Sequence, residues 1–145
     1  LSVPRGTAIV VIDKVDSPHP VRVDTFVGLS APAHCSATGK AFLAVEPSET
    51  VEKLLPARLP RYTDATVTDR AALLRELAQV RRAGWARNRE EWRPGVCAAG
   101  VVVRDAGGEP VASLGVTLPT SRFTSASDSD GLPVRLDSTA LSNVA

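Results

Sequence analysis

Apolar and polar positions along the chain predict strands near both ends and helices between them. Residues 7–13, with the sequence TAIVVID, form a short apolar run typical of a strand. Residues 17–20, SPHP, favour a turn, and residues 21–26, VRVDTF, alternate as in a half-buried strand. We therefore predict a hairpin, or two neighbouring antiparallel strands, in the first quarter of the chain.

The middle of the chain has helical periodicity. Ser36 suits a helix N-cap, and Ala37, Ala41 and Ala44 then fall on one face. Pro47 ends this helix and suits the first turn of a second, shorter one. A third helix is predicted after Thr68 or Asp69, with apolar residues at helical spacing and Gly84 as its end: Leu73, Leu74, Leu77 and Val80.

Strand patterns return after Gly84. A short strand-like run begins at Trp85, and two apolar runs, residues 97–103 and 110–118, flank the turn sequence DAGG, which predicts a hairpin. The Ser/Asp-rich residues 124–130 predict a loop, and Val134, Leu141 and Val144 indicate a final helix. The order of strands, helices and strands predicts an α+β domain, an antiparallel sheet with helices packed on it, rather than a parallel doubly wound fold.

Composition narrows the class of protein. The 145 residues suit one domain, and 43% hydrophobic with 23% charged residues is ordinary for a globular protein. The net charge is +1, and the sequence contains neither a basic stripe nor a DNA-binding motif, so these residues are not expected to recognise DNA themselves. The start at Leu1, without Met or signal pattern, suggests a piece of a longer protein, and two cysteines without a signal fit the cytoplasm and no membrane anchorage.

Catalytic and metal chemistry find little support in the sequence. His34 and Cys35 are adjacent, and neighbouring residues on a strand diverge, so a turn histidine beside a buried thiol is the favoured interpretation. His19 and Cys97 add no zinc-ligand spacing, so neither a metal nor a cofactor is expected. Glu90 and Glu91 are expected to be a solvated acidic pair rather than catalytic carboxylates.

The start of the first helix is the more informative segment. Gly39-Lys40 resembles the end of a phosphate loop, but the preceding glycine is missing and Ala41 replaces the hydroxyl residue. The small residues 36–39, SATG, leave helix-start amides that can hold an anion such as a carboxylate. Tight helix packing is the alternative explanation for the same small residues.

Ordered motifs resemble the effector domain of the IclR family of bacterial transcription regulators. Residues 32–44, PAHCSATGKAFLA, resemble the signature that opens that domain. The remaining motifs follow in family order: LPRYT at 59–63, TVTD at 66–69, the helix at 73–82, GWA at 84–86, REEWRPGV at 89–96, VRD at 103–105 and SRFT at 121–124. The resemblance implies a sheet-and-helix domain related to GAF and profilin-like sensors. It also implies a winged helix-turn-helix upstream, so that operator DNA is contacted only through that part.

The resemblance further implies a site for a small organic effector, often a carboxylate or an aromatic catabolite, in a domain that assembles dimers or tetramers. The residues at the corresponding positions are Ala37, Thr38, Asn88, Val96, Cys97, Ala98, Gly115 and Thr117. Members that bind small acids tend to have an acid, a cysteine and a serine where this chain has Asn88, Ala98 and Gly115. We therefore expect a roomier, less polar pocket for an effector larger than a two- or three-carbon acid.

Two other functions stay open on the sequence alone. A purely structural dimerisation module would have a filled interior and bind no ligand. A small enzyme with Cys35 or Cys97 as nucleophile would need a base within reach of the thiol, and neither histidine is placed for that role. We interpret the chain as a ligand sensor that is not an enzyme.

Overall fold

A single six-stranded antiparallel sheet forms the frame of the domain, in the order β3-β2-β1-β6-β5-β4. The computed structural model describes residues 1–123. The strands are β1 (Ser2–Arg5), β2 (Ala8–Val11), β3 (Ser30–Pro32), β4 (Ala86–Arg89), β5 (Val96–Arg104) and β6 (Pro110–Pro119). The predicted α+β class and antiparallel sheet are thus confirmed. The predicted loop at 124–130 and the final helix lie outside the described residues.

The N-terminal part of the sheet differs from the prediction. The hairpin partner of β2 is β1, which pairs Val3 with Val10, and the expected strand at residues 21–26 is wrong because that segment has no ladder. The alternation of Val21, Val23 and Thr25 mimics a half-buried strand, yet Val21 is 63% exposed. The second partner of β2 is instead the short β3, whose Ala31 pairs with Ile9.

The three predicted helices are confirmed as α1 (Ala37–Val45), α2 (Ser48–Leu54) and α3 (Arg70–Ala83). Asp69 caps α3 by accepting hydrogen bonds from the amides of Ala71 and Ala72, and Gly84 ends it with a φ of 78°. A left-handed residue at this place favours glycine, which lacks the Cβ that would clash.

The main apolar core lies among the helices. It joins the inward face of α3 to residues of α1, α2 and the segment after α2, with Leu43, Val51, Leu55, Leu59, Leu73 and Leu77 among its members. Helix α1 also packs on the sheet, mainly against β5 and β6. Because α1 touches both the core and the sheet, its position relative to the strands is tightly set. Within residues 1–123, no helix is long and apolar enough to cross a membrane.

Candidate functional site

The start of α1 presents two backbone amides without helical partners. Ser36 caps the helix, since its Oγ accepts from the amide of Gly39 at 3.3 Å and its carbonyl accepts from that of Lys40 at 2.9 Å. The first amides of a helix have no carbonyl in the preceding turn, which leaves those of Ala37 and Thr38. Such amides at the positive end of the helix dipole favour an anion.

Two glycines allow this helix start to rest directly on the sheet. A Cβ at Gly100 would lie 2.8 Å from the Ala37 carbonyl carbon and 2.9 Å from the Thr38 nitrogen. A Cβ at Gly115 would lie 2.6 Å from Cγ2 of Thr38. The methyl group of Thr38 therefore fills the space that a side chain at 115 would take, so the expected extra room does not arise at this position.

Cross-strand register brings most of the predicted site residues to one face of the sheet. Asn88 pairs with Ala98, and Ala98 pairs with Thr117. Directly paired residues of antiparallel strands point to the same side, and every second residue shares it. The row of these three residues therefore lies on the same face as Gly100 and Gly115, beside the start of α1. Thr117 is exposed in this row.

Val96 lies on the same face, at the beginning of β5, whereas Cys97 does not. Cys97 pairs with Arg89 and Leu118, which face the other side of the sheet. Its thiol is completely buried and lies 3.4 Å from Oγ1 of Thr120. The structure thus places Ala37 and Thr38 at the helix start, five other predicted positions on the face of the sheet that α1 covers, and the Cys97 side chain behind the sheet.

Asn88 is held in place by the turn that follows β4. The residue is buried, at 4% exposure, and its Oδ1 accepts a hydrogen bond of 2.8 Å from the amide of Glu91. This contact fixes the orientation of the carboxamide and leaves its Nδ2 group to act as a donor. An aspartate at this position would retain the acceptor and lose the donor.

A buried ionic cluster next to the site was missed by the sequence interpretation. Lys40 is fully buried, and its Nζ donates to Oε1 of Glu76 at 2.6 Å and to both carboxylate oxygens of Glu91 at 2.7 and 2.8 Å. The expectation of a solvated Glu90–Glu91 pair is therefore wrong for Glu91, which is 8% exposed. Burial raises the pKa of the Glu91 carboxyl, and Lys40 opposes this shift.

The adjacent His34 and Cys35 do not form a nucleophile pair. Both lie in a 3-10 turn (Ala33–Cys35) and are buried, which agrees with the favoured interpretation of a turn histidine beside a buried thiol, and His34 Nε2 contacts the carbonyl of Pro60 at 3.0 Å. Burial raises the pKa of the Cys35 thiol to about 12, so it stays protonated at neutral pH. Among residues 1–123, no cluster of histidine, cysteine and acidic side chains is arranged to hold a metal ion.

A surface depression of about 190 Å³ lies between α2 and α3. The guanidinium of Arg70 at its wall donates to the carbonyls of Glu52 and Leu55, each at 2.7 Å. Asp69, also in its wall, is the cap of α3. Since these polar groups already serve the fold, the helix start on the sheet is the better candidate for a binding site.

Comparison with known proteins identifies the family to which this chain belongs. Residues 1–142 match the family described as bacterial transcriptional regulator IclR C-terminal. An HTH-type transcriptional regulator of Mycobacterium tuberculosis is 44% identical over 123 residues, which cover 85% of this chain and 47% of that protein. The transcriptional repressor IclR of Escherichia coli is 36% identical over 116 residues, covering 79% of this chain and 42% of the repressor.

Solved structures agree with this assignment. The C-terminal domain of the E. coli regulator KdgR has a TM-score of 0.74 at 32% identity, over 86% of this chain and 72% of that one. The inducer-binding domain of PobR from Acinetobacter, a double mutant in complex with 3-hydroxybenzoic acid, has a TM-score of 0.78 at 30% identity, over 87% and 75% of the two chains. The chain belongs to the IclR family and has the GAF/profilin-like fold of its C-terminal domains. It spans about half the length of the curated relatives it matches.

Proposed function

We propose that this chain is the effector-binding domain of a transcription regulator and that the effector binds at the start of α1. The observation that carries the proposal is the meeting of Thr38, Asn88 and Thr117 beside two helix-start amides on one face of the sheet. These groups come from one helix and two strands that are distant in sequence. Their position on one face of the sheet beside the helix start supports a binding site for one anion.

The donors at this place suit a single carboxylate with an uncharged remainder. The amides of Ala37 and Thr38, together with the Thr38 hydroxyl, would receive the carboxylate, while Asn88 and the Thr117 hydroxyl would bond a second polar group. The neighbouring cation, Lys40, is engaged by Glu76 and Glu91. Ala98 and Val96 offer apolar surface, so we favour an aromatic or larger aliphatic acid over glyoxylate or pyruvate. The hydroxybenzoate bound by the PobR domain supports this class of ligand.

Calorimetry with benzoate, 3-hydroxybenzoate, glyoxylate and pyruvate tests this proposal. We expect one of the aromatic acids to bind best and Thr38→Val to weaken it by roughly tenfold or more, since a hydrogen bond to a charged group contributes about 1.5–3 kcal/mol. Thr50→Val, at an exposed threonine of α2, is the matched control and should leave binding unchanged. Preferred binding of glyoxylate or pyruvate would refute the ligand class.

Asn88→Asp tests the electrostatics of the same site. The aspartate can still accept the hydrogen bond from the Glu91 amide, and a urea melt of the ligand-free variant checks that the added buried charge leaves the domain folded. Its negative charge, on the same face of the sheet as the bound carboxylate, would lower affinity by roughly tenfold or more, because like charges repel even at an effective dielectric near 20. Equal affinity of the two proteins for benzoate would place the carboxylate elsewhere.

For the whole protein, we propose that effector binding here changes the operator affinity of a DNA-binding domain upstream of this chain, in the cytoplasm. Such a switch requires that the effector bind two arrangements of the protein unequally. In the full-length regulator, the tightest effector should shift the operator dissociation constant. An effector that binds this domain without changing operator affinity would restrict the proposal to binding alone.

We propose a dimer or tetramer as the working assembly. Exposed apolar side chains concentrate between β2 and β3, where Val15 is 97% exposed and Phe26 53% exposed. Apolar groups exposed together favour association. Light scattering should therefore detect an oligomer, and either Val15→Asp or Phe26→Asp should dissociate it. If the original protein is a monomer even at high concentration, the proposed assembly is wrong. A structural module alone, the rival function, would oligomerise but bind none of the acids.

A further inference from the structure

The ion cluster of Lys40, Glu76 and Glu91 joins three separate parts of the domain. Lys40 belongs to α1, Glu76 to α3, and Glu91 to the turn after β4. The three donors of the Lys40 ammonium meet three carboxylate oxygens, so its hydrogen-bonding capacity is filled. Because all three bonds are made in a buried place, the cluster fixes the relative positions of α1, α3 and the turn after β4.

Stability alone is a poor explanation for this cluster. Removing the ammonium and carboxylates from water costs free energy that the mutual attraction often only offsets, and well-packed apolar residues can serve the fold as well. The cluster also has two acidic groups for one base, and the side chain of Glu76 is 28% exposed, while that of Glu91 is 11% exposed. A role in positioning accounts better for its place in the molecule.

The cluster connects directly to both sides of the proposed effector site. Lys40 follows Thr38 by two residues on α1, and Glu91 donates its amide to Oδ1 of Asn88. One Glu91 oxygen also accepts from the amide of Arg89 at 3.4 Å. The path from Thr38 to Asn88 therefore passes through one ion pair and one hydrogen bond.

The turn that carries Glu91 depends on such outside support. Glu90 has a φ of 58°, a left-handed conformation that non-glycine residues rarely adopt. The hydroxyl of Thr63 donates to the Glu90 carbonyl at 2.7 Å, and that of Thr66 donates to the Glu91 carbonyl at 2.6 Å. These bonds hold the backbone of the turn, and Lys40 holds its buried side chain.

We propose that Lys40 is a positioning residue of the effector site, which through Glu91 sets the distance between the start of α1 and Asn88. The inference rests on the proposed function for its effect on ligand affinity, but not for its effect on the turn. Lys40 touches no ligand in this role. It acts by holding Asn88 and Thr38 in the arrangement that a ligand would meet.

The test uses a double variant that retains packing and removes the ion pair. Lys40→Met alone leaves the buried Glu91 and the partly exposed Glu76 without a cation and is expected to unfold easily. Lys40→Met with Glu91→Leu replaces the pair by apolar groups of similar size and should keep the urea midpoint close to that of the original protein. The matched control is Lys53→Met with Glu49→Leu, which removes an exposed pair of 2.7 Å on α2 by the same substitutions.

The first readout is amide hydrogen exchange of the ligand-free chain. In the variant that combines Lys40→Met with Glu91→Leu, the protection of the amides of residues 88–91 should fall about tenfold. The amides of the β5–β6 ladder should keep their protection, because local opening does not require global unfolding. The control variant should change neither region. Unchanged protection at residues 88–91 would overturn the proposal, whether or not any ligand binds.

The second readout is calorimetry with benzoate and 3-hydroxybenzoate. The affinity of the better ligand should fall about tenfold in the Lys40/Glu91 variant and stay unchanged in the control. Lost protection with unchanged affinity would also overturn the proposal. If the original protein binds neither acid and protection is still lost, the positioning of Asn88 is supported and the proposed ligand class fails.

Discussion

A double-mutant cycle between Gly115 and Thr38 tests the contact on which the site geometry depends. A Cβ at Gly115 would lie 2.6 Å from Cγ2 of Thr38, whereas carbon atoms pack best at about 3.5–4.0 Å. Gly115→Ala therefore creates an overlap of about 1 Å. Forcing an extra methyl group into a packed place costs about 1–3 kcal/mol. The gain of alanine over glycine in a strand, about 0.5–1 kcal/mol, offsets part of this cost.

Thr38→Ser removes the methyl group that causes the overlap. In that background, Gly115→Ala should be neutral or slightly stabilising, which gives a coupling free energy of about 2 kcal/mol. Urea unfolding of the four proteins measures this value. With a slope of about 2 kcal/mol per molar urea, the expected difference in midpoint is about 1 M.

Gly100→Ala provides the control for this cycle. Its Cβ would meet backbone atoms of Ala37 and Thr38 at 2.8 and 2.9 Å, so loss of the Thr38 methyl cannot relieve it. Gly100→Ala should cost the same with Thr38 or Ser at position 38. A coupling below about 0.5 kcal/mol between Gly115→Ala and Thr38→Ser would refute the placement of Thr38 over Gly115.

Three further predictions concern buried polar groups. Ser113 is fully buried and its Oγ has no hydrogen-bond partner within residues 1–123, so Ser113→Ala should raise the free energy of unfolding by about 1 kcal/mol in urea melts. The folded-state pKa of Glu91 is raised by burial above its ordinary 4.5, so its contribution to stability is present below that pH and is lost as pH rises. The unfolding free energy of the original protein minus that of Glu91→Gln should therefore decrease from pH 4.5 upward, and a flat difference would contradict the shift. Cys35 is buried with a pKa of about 12, so a thiol reagent at pH 8 should label it no faster than the protein opens.

Local signals sufficed to predict the helices of this domain. In α3, the cap at Asp69, the spacing of Leu73, Leu77 and Val80, and the left-handed Gly84 all act within a few residues of one another. The β5–β6 hairpin is similar, because its two apolar runs flank a tight turn. The pairing of the N-terminal strands could not be predicted in this way, because it also depends on partners that are distant in sequence. Residues 21–26 alternate like a strand but find no neighbour, while β1 gains its place by pairing with β2 and β6.

The site could be predicted only in part, for a related reason. Family motifs pointed to the positions around the α1 start, and cross-strand register then decided which side chains share a face. Asn88, Ala98 and Thr117 do so because they pair directly, whereas Cys97, one residue from Ala98, points behind the sheet.

No sequence pattern marked Lys40 or Glu91 as buried, because a charged residue is normally solvated unless partners surround it. Those partners come from α1, α3 and the turn after β4, which meet only in the folded chain. The doubled glutamate at 90 and 91 therefore divides its two side chains between different environments. Its first residue adopts the left-handed turn, and its second enters the interior, where Lys40 and the Asn88 carboxamide hold it. A site whose donors depend on such a turn is sensitive to changes several residues away from any ligand contact.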